Sequence, residues 1–373
     1  MPNTKYVRLN WIDYARGIAI ILVAYRHVFE GAKLSGINVH KYPWLEYANI
    51  FFYSFRMPLF FIVSGIFISS SVFKRGIARY VGGRLKTILY PYFVWGALQL
   101  ILQMIFADYA NSKPSPSSLL HLFYLPREVA QFWYLFALFN VSMLYLFTRF
   151  VLKIPPAVNL LLGILLFYLS SIVYQQNIQL FFLSDIMHYY VFFAIGDIAR
   201  NFLTSERVHV ITAQGKYLLV AFTLFLLFQS YFLWQNLIHD TPKFMHVEYY
   251  QPFIFLLIAL MGCAFIVCLT NWLNERGAMK WLPILGRYSL YIYVAHVIVF
   301  AATRMVMVRI LHIDDAILVI ASGMLTGITI PVVLYKLAER FRMQWLFTLE
   351  KKTGNTNAAG ISNSSKPAEY IRS

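Results

Sequence analysis

The chain has 373 residues, of which 60% are hydrophobic and only 13% are charged, and its mean hydropathy is +0.61. Soluble globular proteins carry about 25% charged residues, so this composition excludes an ordinary soluble domain and indicates a polytopic membrane protein. In a soluble protein, the formal net charge of +16 would suggest a nucleic-acid partner. Here the positive residues cluster at the ends of apolar stretches, so we expect them to set the orientation of the protein in the membrane, and we expect no nucleic-acid partner.

Apolar stretches of membrane-spanning length recur along almost the whole chain, which predicts an all-α helix bundle with about ten transmembrane helices. The first stretch is followed by no small-residue cleavage site, so we interpret it as a retained span and not as a signal peptide. Residues 1–350 are predicted to form one transmembrane domain, and the polar residues 351–373 a disordered tail. The ten stretches are 11–29, 48–72, 88–107, 132–152, 157–174, 180–199, 217–235, 252–272, 284–302 and 316–335.

The distribution of lysine and arginine predicts the orientation of the bundle. With the N-terminus in the cytoplasm and the spans alternating, 22 of the 32 basic residues fall in cytoplasmic segments and 7 in outer segments. The other three, Arg26, Arg56 and Arg287, lie within or at the start of spans. This bias predicts that both termini are cytoplasmic and that the number of spans is even.

The segment 11–30, which is the first stretch and the residue that follows it, is long enough to cross a bilayer and yet carries five ionisable residues, which are rare and costly in spans. On a helix, Arg16 and His27 are separated by about 20° in rotation and about 16 Å along the axis, so they face the same way. Arg26 lies off this face, and we interpret it as an interfacial, snorkelling residue. The five residues are Asp13, Arg16, Arg26, His27 and Glu30.

His27 is the leading candidate for catalysis. A histidine whose pKa is near neutrality can act as a general base toward a hydroxyl, whereas a buried histidine can also simply join helices by hydrogen bonds. The shared face with Arg16 favours the catalytic interpretation. Glu30 lies one turn further, and it could orient the imidazole or raise its basicity, or it could be a solvated residue at the helix end. Asp13 could pair with an arginine, or it could be a favourable negative charge at the helix N-terminus.

The second stretch contains Arg56 two residues before Pro58, in an otherwise apolar run. An arginine there is expensive unless it lines a cavity at a break in the helix or forms an ion pair, and Glu30 is one possible partner. Ser64 and Gly65, further along the same stretch, favour close helix packing.

The segment 74–86 carries five basic residues and no acidic residue. This pattern is sufficient as a positive-inside signal, and it is equally suited to binding a polyanionic cosubstrate through arginine–phosphate contacts. We consider Arg75, Arg79, Arg84 and Lys86 as binding candidates together with Arg16. The chain has no GxGxxG sequence and no Walker loop.

In the ninth stretch, His296 follows Arg287 by nine residues and is predicted at a depth similar to that of His27. A structural role and a role in the site are both open for it. The two cysteines, Cys263 and Cys268, lie in one apolar stretch and are interpreted as core residues. No His/Cys/Asp cluster has zinc spacing, so we expect no metal.

Other polar residues are weaker candidates. The run 131–135 is most simply an aromatic belt at the membrane interface. The sixth stretch contributes ionisable residues at or near its ends: Asp185, His188 and Asp197.

Together, these motifs resemble the membrane acyltransferase-3 family of integral-membrane O-acyltransferases of bacterial sugars, with features of the fucose O-acetylase-like branch. The resemblance covers most of residues 8–300. The motifs that carry it are Asp13-Tyr14-Ala15-Arg16-Gly17, Arg16-x10-His27, Ser54-Phe55-Arg56-Met57-Pro58-Leu59-Phe60-Phe61 with Ser64-Gly65, Arg84-Leu85-Lys86 before Tyr90-Pro91-Tyr92, Phe132-Trp133-Tyr134-Leu135 and Gly286-x-x-Ser289-Leu290-x-x-Tyr293-x-x-His296.

The resemblance implies ten membrane-spanning helices, an acyl-CoA donor, usually acetyl-CoA, entering from the cytoplasm, and a sugar hydroxyl as the acceptor. Arg16 and His27 match the arginine–histidine pair of the family. Two positions depart from its pattern: Arg56 stands where the family often has histidine, and Thr87 stands where it often has the second arginine of Arg-x-x-Arg after Arg84.

With this resemblance, the sequence predicts a multi-pass membrane O-acyltransferase that moves an acyl group, in the first place acetyl, from acyl-CoA to a cell-envelope or exported polysaccharide. The resemblance implies that its location is the bacterial inner membrane. Its predicted partners are acyl-CoA, the saccharide acceptor and membrane lipid. No serine or cysteine is placed to indicate an acyl-enzyme intermediate. A transporter or flippase for a glycan or lipid-linked sugar is the main alternative, because it would also need buried charges and broken helices; a non-catalytic sensor or assembly scaffold is a further one.

Overall fold

The computed structural model describes residues 10–239 and 245–349. Over these residues the chain forms helices and connecting turns, with no strand. The all-α prediction is therefore confirmed for the described part of the chain. The predicted tail after residue 350 and the first nine residues lie outside it.

In the first half of the bundle, the described residues form nine α-helices. Short π-helical turns at Leu85–Leu89 and Phe147–Val151 continue two of them. The nine are α1 (Asn10–Leu34), α2 (Pro43–Phe51), α3 (Tyr53–Ile66), α4 (Ile68–Arg75), α5 (Ile77–Arg84), α6 (Tyr90–Ile105), α7 (His121–Tyr124), α8 (Trp133–Leu146) and α9 (Pro156–Gln175).

The second half contains the remaining helices of the described residues. A π-helical turn, Val306–Ile310, extends α17. These helices are α10 (Phe182–Ile198), α11 (Arg200–Leu203), α12 (Glu206–Thr212), α13 (Gly215–Ile238), α14 (His246–Tyr250), α15 (Pro252–Glu275), α16 (Leu282–Arg287), α17 (Ser289–Met305) and α18 (Ala316–Arg340).

Eight helical segments of the described residues, one of which (Pro43–Arg75) joins α2, α3 and α4, are long and apolar enough to cross a membrane, which makes this a multi-pass membrane protein. Two further predicted spans correspond to α1 and α10. The first has too many charged residues to meet the composition of a span, and the second, with 17 residues, is only about 26 Å long. The count of ten spans and the cytoplasmic location of both termini remain predictions.

The two exceptional helices lie inside the bundle. α1 packs against α3, α15, α16, α17 and α18, and α10 packs against α3, α8 and α9. By contrast, α13 has most of its side chains on the outside. Polar residues on α1 and α10 therefore face protein, which lowers the cost of placing them at membrane depth.

Glycines allow these inner helices to approach their neighbours closely. A Cβ on Gly17 of α1 would lie 2.3 Å from the carbonyl oxygen of Leu282. A Cβ on Gly65 of α3 would lie 2.1 Å from the carbonyl oxygen of Phe193 on α10, and one on Gly196 would lie equally close to that of Ile62. The packing interpretation of Ser64-Gly65 is thus confirmed for the glycine, and small residues here bring the helix backbones together.

The second predicted span is interrupted at Phe52, between α2 and α3, and not at Pro58. Pro58 lies inside α3, six positions from its start. The break expected at Pro58 therefore lies six residues earlier, at Phe52. The interruption leaves Arg56 in the second turn of α3, directed back toward the end of α2.

Candidate active site

A cavity of about 290 Å³ surrounds the candidate base. Residues of α1 and α3 form one side of it, and the 127–133 segment, α10 and α17 form the other. We call it the His27 cavity. Its lining includes Val23, Arg26, His27, Glu30, Tyr53, Arg56, Met57, Arg127, Trp133, Tyr189, Met245 and Tyr293.

His27 and His296 lie side by side. Their ring centroids are 5.3 Å apart, and the ring planes make an angle of 57°. His27 is partly exposed to the cavity, whereas His296 is completely buried. The structure thus brings together two predicted site residues that lie 269 positions apart in the sequence.

Arg56 and Glu30 meet through a third residue, Asn49. The Asn49 amide donates to Glu30 Oε1 at 3.0 Å, and Arg56 Nη1 donates to Asn49 Oδ1 at 3.3 Å. Arg56 also donates to the carbonyl oxygen of Leu22 at 3.1 Å. These bonds fix the buried guanidinium in the cavity wall, because each of its partners is itself held by helix backbone or by a carboxylate.

Aromatic rings and two further arginines complete the wall. Arg26 lies 4.8 Å above the ring of Tyr53, and Arg127 lies 4.6 Å above the indole of Trp133, within the range of cation–π contacts. The interpretation of Arg26 as a snorkelling residue is wrong, since its side chain lines the His27 cavity. The interpretation of Trp133 as part of an interfacial belt is likewise incomplete, because it lines the same cavity.

A second cavity, of about 270 Å³, lies on the Arg16 side of the same helices. We call it the Arg16 cavity. Three arginines line it, Arg16, Arg84 and Arg287, together with Ser64 and Ser289. Arg84 is held by a 3.0 Å hydrogen bond from its Nε to the hydroxyl of Tyr80. Three guanidinium groups in one cavity are suited to phosphate groups.

The two cavities are separated by about one turn of α1. Ile20 lines the Arg16 cavity and Val23 the His27 cavity, while Tyr293 lines both. The Tyr293 hydroxyl donates to the carbonyl oxygen of Gln131, and its ring lies 5.4 Å from that of Tyr134. A few side chains around Tyr293 therefore separate the Arg16 cavity from the His27 cavity.

The other predicted binding residues lie elsewhere. Arg75, Arg79 and Lys86 are exposed and do not line the Arg16 cavity. Asp13 lines a neighbouring pocket that it shares with Arg287. Of the basic segment 74–86, only Arg84 reaches the cavity.

The polar residues of α10 have protein partners. Arg127 Nε donates to Asp185 at 2.8 Å, and His188 Nε2 lies 3.2 Å from Glu248 Oε1. At the other end, Asp197 accepts hydrogen bonds from Tyr145, at 2.8 Å, and from Ser69. Asp185, His188 and Asp197, the weaker candidates of the sixth stretch, therefore take part in buried contacts within the protein.

Sequence reasoning missed several residues of the site. Arg127 and Tyr53 were not singled out, and Arg287 was counted only as a basic residue at the start of a span. The pairing of a basic residue with an aromatic run at 127–133 was the one available signal for Arg127.

A family model described as an acyltransferase domain (Acyl_transf_3) matches residues 9–336. The chain belongs to this acyltransferase family. The resemblance inferred from the sequence motifs is therefore confirmed, and both cavities lie within the matched range.

Two curated proteins that are similar to the chain are nodulation proteins named NolL. The protein from Sinorhizobium fredii (strain NBRC 101917 / NGR234) is 29% identical over 185 residues, which cover 49% of this chain and 46% of the relative. The protein from Mesorhizobium japonicum (strain LMG 29417 / CECT 9101 / MAFF 303099) is 28% identical over 127 residues, covering 34% and 32%. The matched regions thus span less than half of each relative. No solved structure matches the chain significantly.

Proposed function

We propose that this protein is an integral-membrane O-acyltransferase that moves an acyl group, acetyl in the first instance, from acyl-CoA to a hydroxyl of a saccharide. The observation that carries the proposal is the arrangement of two cavities along α1, each lined by three arginines, of which the second also holds a histidine. Membership of an acyltransferase family supports the reaction class and does not support the glycan transporter considered from the sequence.

The Arg16 cavity fits the donor. Arg16, Arg84 and Arg287 would hold the phosphate groups of coenzyme A, because guanidinium groups form paired hydrogen bonds with phosphate oxygens. Arg16 and His27 are about 16 Å apart along α1, a distance that an extended pantetheine arm can cover. The thioester would then reach Tyr293 while the nucleotide end stays at Arg16. In the predicted orientation, this donor enters from the cytoplasm.

The His27 cavity fits the acceptor. Aromatic rings, among them Tyr53, Trp133 and Tyr189, offer faces for the C–H groups of a sugar, and arginine and glutamate side chains offer partners for its hydroxyls. Binding sites for small polar molecules combine such apolar walls with a few placed polar groups.

His27 would act as the general base. It removes the proton from the acceptor hydroxyl as the oxygen attacks the thioester carbonyl carbon, the C–S bond breaks, and the coenzyme A thiolate takes the proton back from the imidazolium. The charges balance without an acyl-enzyme intermediate. Catalysis then depends on holding the hydroxyl, the imidazole and the thioester in one geometry.

The test is acyl transfer in membrane vesicles, with labelled acetyl-CoA as donor and extracted cell-envelope glycans as acceptor. We expect His27→Ala to lower the transfer rate by about 100- to 10,000-fold, the usual contribution of a general base. His40→Ala is the matched control, because His40 is exposed and lies outside both cavities.

Label in the glycan with wild type and His40→Ala but not with His27→Ala would support the proposal. Equal transfer by all three would remove the role of His27. No transfer by wild type would reject acetyl-CoA or these glycans as the substrates.

A further inference from the structure

The orientation of the His296 ring is fixed by its own helix. Its Nδ1 lies 3.0 Å from the carbonyl oxygen of Ile292 and 2.8 Å from that of Tyr293. Carbonyl oxygens only accept hydrogen bonds, so Nδ1 must carry a proton. In the neutral ring Nε2 is then unprotonated and can only accept a hydrogen bond.

Nε2 of His296 is buried, and it has no hydrogen-bond partner among residues 10–239 and 245–349. A buried polar atom without a partner costs about 1–3 kcal/mol. Seven other buried side-chain atoms of the described residues share this state, among them His188 Nε2 and Asp185 Oδ2, so what distinguishes His296 Nε2 is that the ring of the candidate base lies beside it. If His296 only linked α17 to its own backbone, its second nitrogen could be replaced by carbon at no loss.

The ring of His27 is within reach of this nitrogen. Ring nitrogens lie about 1 Å from the imidazole centroid, so a centroid separation of 5.3 Å accommodates a nitrogen–nitrogen hydrogen bond of about 3 Å. In the structure the rings are tilted and the bond is not formed. A modest rotation of the partly exposed His27 ring would align them, since its χ2 torsion is soft.

We propose that Nε2 of His296 accepts a hydrogen bond from an N–H of His27, directly or through one water, and thereby selects the His27 tautomer that is competent as a base. With one nitrogen of His27 protonated and turned to His296, the other nitrogen presents its lone pair to the acceptor. His296 is then a positioning residue. This inference rests on the proposed function of His27 as the base.

The pair would also respond to the reaction. When His27 takes the proton of the hydroxyl, its bond to His296 becomes charge-assisted and stronger, which favours the transition state over the ground state. Charged groups that line the same cavity are Arg26, Glu30, Arg56 and Arg127. The three arginines disfavour a second positive charge, so a neutral acceptor such as His296 is a suitable partner for the developing imidazolium.

A set of three substitutions separates this role from packing. In His296→Gln, the longer amide can place its oxygen near the position of Nε2 and restore an acceptor. In His296→Asn, the shorter amide can donate to the backbone carbonyls, as Nδ1 does, but leaves the Nε2 position empty. His296→Leu preserves volume alone.

We expect His296→Gln to retain kcat within about 10-fold of wild type, and the Asn and Leu variants to lose on the order of 100-fold in kcat with an unchanged KM for acetyl-CoA. Transfer by His296→Asn or His296→Leu at the wild-type rate would overturn the inference. So would a loss in His296→Gln as large as that in His296→Leu when both variants are folded, as judged by thermal unfolding.

A spectroscopic measurement tests the tautomer without turnover. In protein labelled with ¹⁵N-histidine, the His27 signals are assigned by their absence in His27→Ala. We expect one protonated and one unprotonated His27 nitrogen in wild type and His296→Gln, and averaged signals in His296→Leu. Identical His27 signals in all of them would overturn the inference. No acyl transfer by wild type would reject acetyl-CoA or these glycans as the substrates and leave this measurement valid.

Discussion

Helices α1 and α10 both carry ionisable residues through the interior of the bundle, but they use them differently. On α10, Asp185 is bonded to Arg127, and Asp197 to Tyr145 and Ser69. On α1, Arg16 and His27 open onto cavities. A charge at membrane depth is thus tolerated in two ways, by a partner within the protein or by a space where a substrate can supply one.

The comparison separates residues that maintain the fold from residues available for chemistry. A group whose hydrogen bonds are satisfied by neighbours is restrained and contributes to stability. A group facing a cavity gives up part of that stabilisation and remains free to bind. On this basis, substitutions on α10 should mainly affect folding, and substitutions on α1 mainly activity.

The largest difference is expected from removing a carboxylate on each helix. Asp185→Ala removes the buried carboxylate that pairs with Arg127, whose side chain is 41% exposed and lines the His27 cavity. We therefore expect a loss of about 1.5–3 kcal/mol, typical of a hydrogen bond to a charged group and smaller than for a fully buried pair. Glu30→Ala removes an acceptor of the Asn49 amide at the edge of a cavity, where we expect a loss of about 1 kcal/mol. Thermal unfolding in detergent measures both, and equal losses would remove the distinction between the helices.

Glycine substitutions should destabilise both helices to a similar extent, because α1 and α10 both depend on close packing. A Cβ on Gly17 or Gly196 would overlap a neighbouring backbone carbonyl, and we expect Gly→Ala at either position to cost about 1–3 kcal/mol. Gly82 of α5 has open space around its Cα, so Gly82→Ala serves as the control and should be neutral or slightly stabilising. The same unfolding assay applies, and a neutral Gly196→Ala would contradict the packing described here.

The smallest effect should be confined to the donor cavity. In Arg16→Lys the charge is kept but the paired hydrogen bonds to phosphate are lost, so we expect KM for acetyl-CoA to rise about 10-fold, or about 1.4 kcal/mol, with little change in kcat. Arg75→Lys is the matched control, because Arg75 is exposed and does not line the cavity. Equal effects of both substitutions would place donor binding on the basic segment as a whole.

Local periodicity predicted which two of the candidate residues on α1 face the same way. Arg16 and His27 share a face of α1 because the helical repeat places them there. Arg26 was misjudged because its long side chain reaches the cavity although its Cα lies off that face. The packing of His296 beside His27, and the meeting of Arg56 with Asn49, depend on how helices cross and on the interruption at Phe52, neither of which periodicity encodes.

The roles of connecting segments were the hardest to predict. Arg127 precedes α8 in a segment of short turns, and Glu248 lies in α14 between two long helices. Their proximity to α10 is a product of tertiary packing, so the sequence identified Asp185 and His188 as polar but not which residues satisfy them. The predicted sides of the membrane rest on charge counts alone and need a topology measurement.

The thin partition around Tyr293 has an electrical consequence. Where open spaces approach a membrane protein from both faces, the transmembrane voltage falls mainly across the barrier between them. Moving one elementary charge through the full potential is worth about 2.3 kcal/mol per 100 mV. If the two cavities open to opposite faces, as the orientation predicted from the basic residues requires, that energy would be concentrated over about one helical turn beside His27 and Arg56, and a charge moving past Tyr293 would sense most of the voltage.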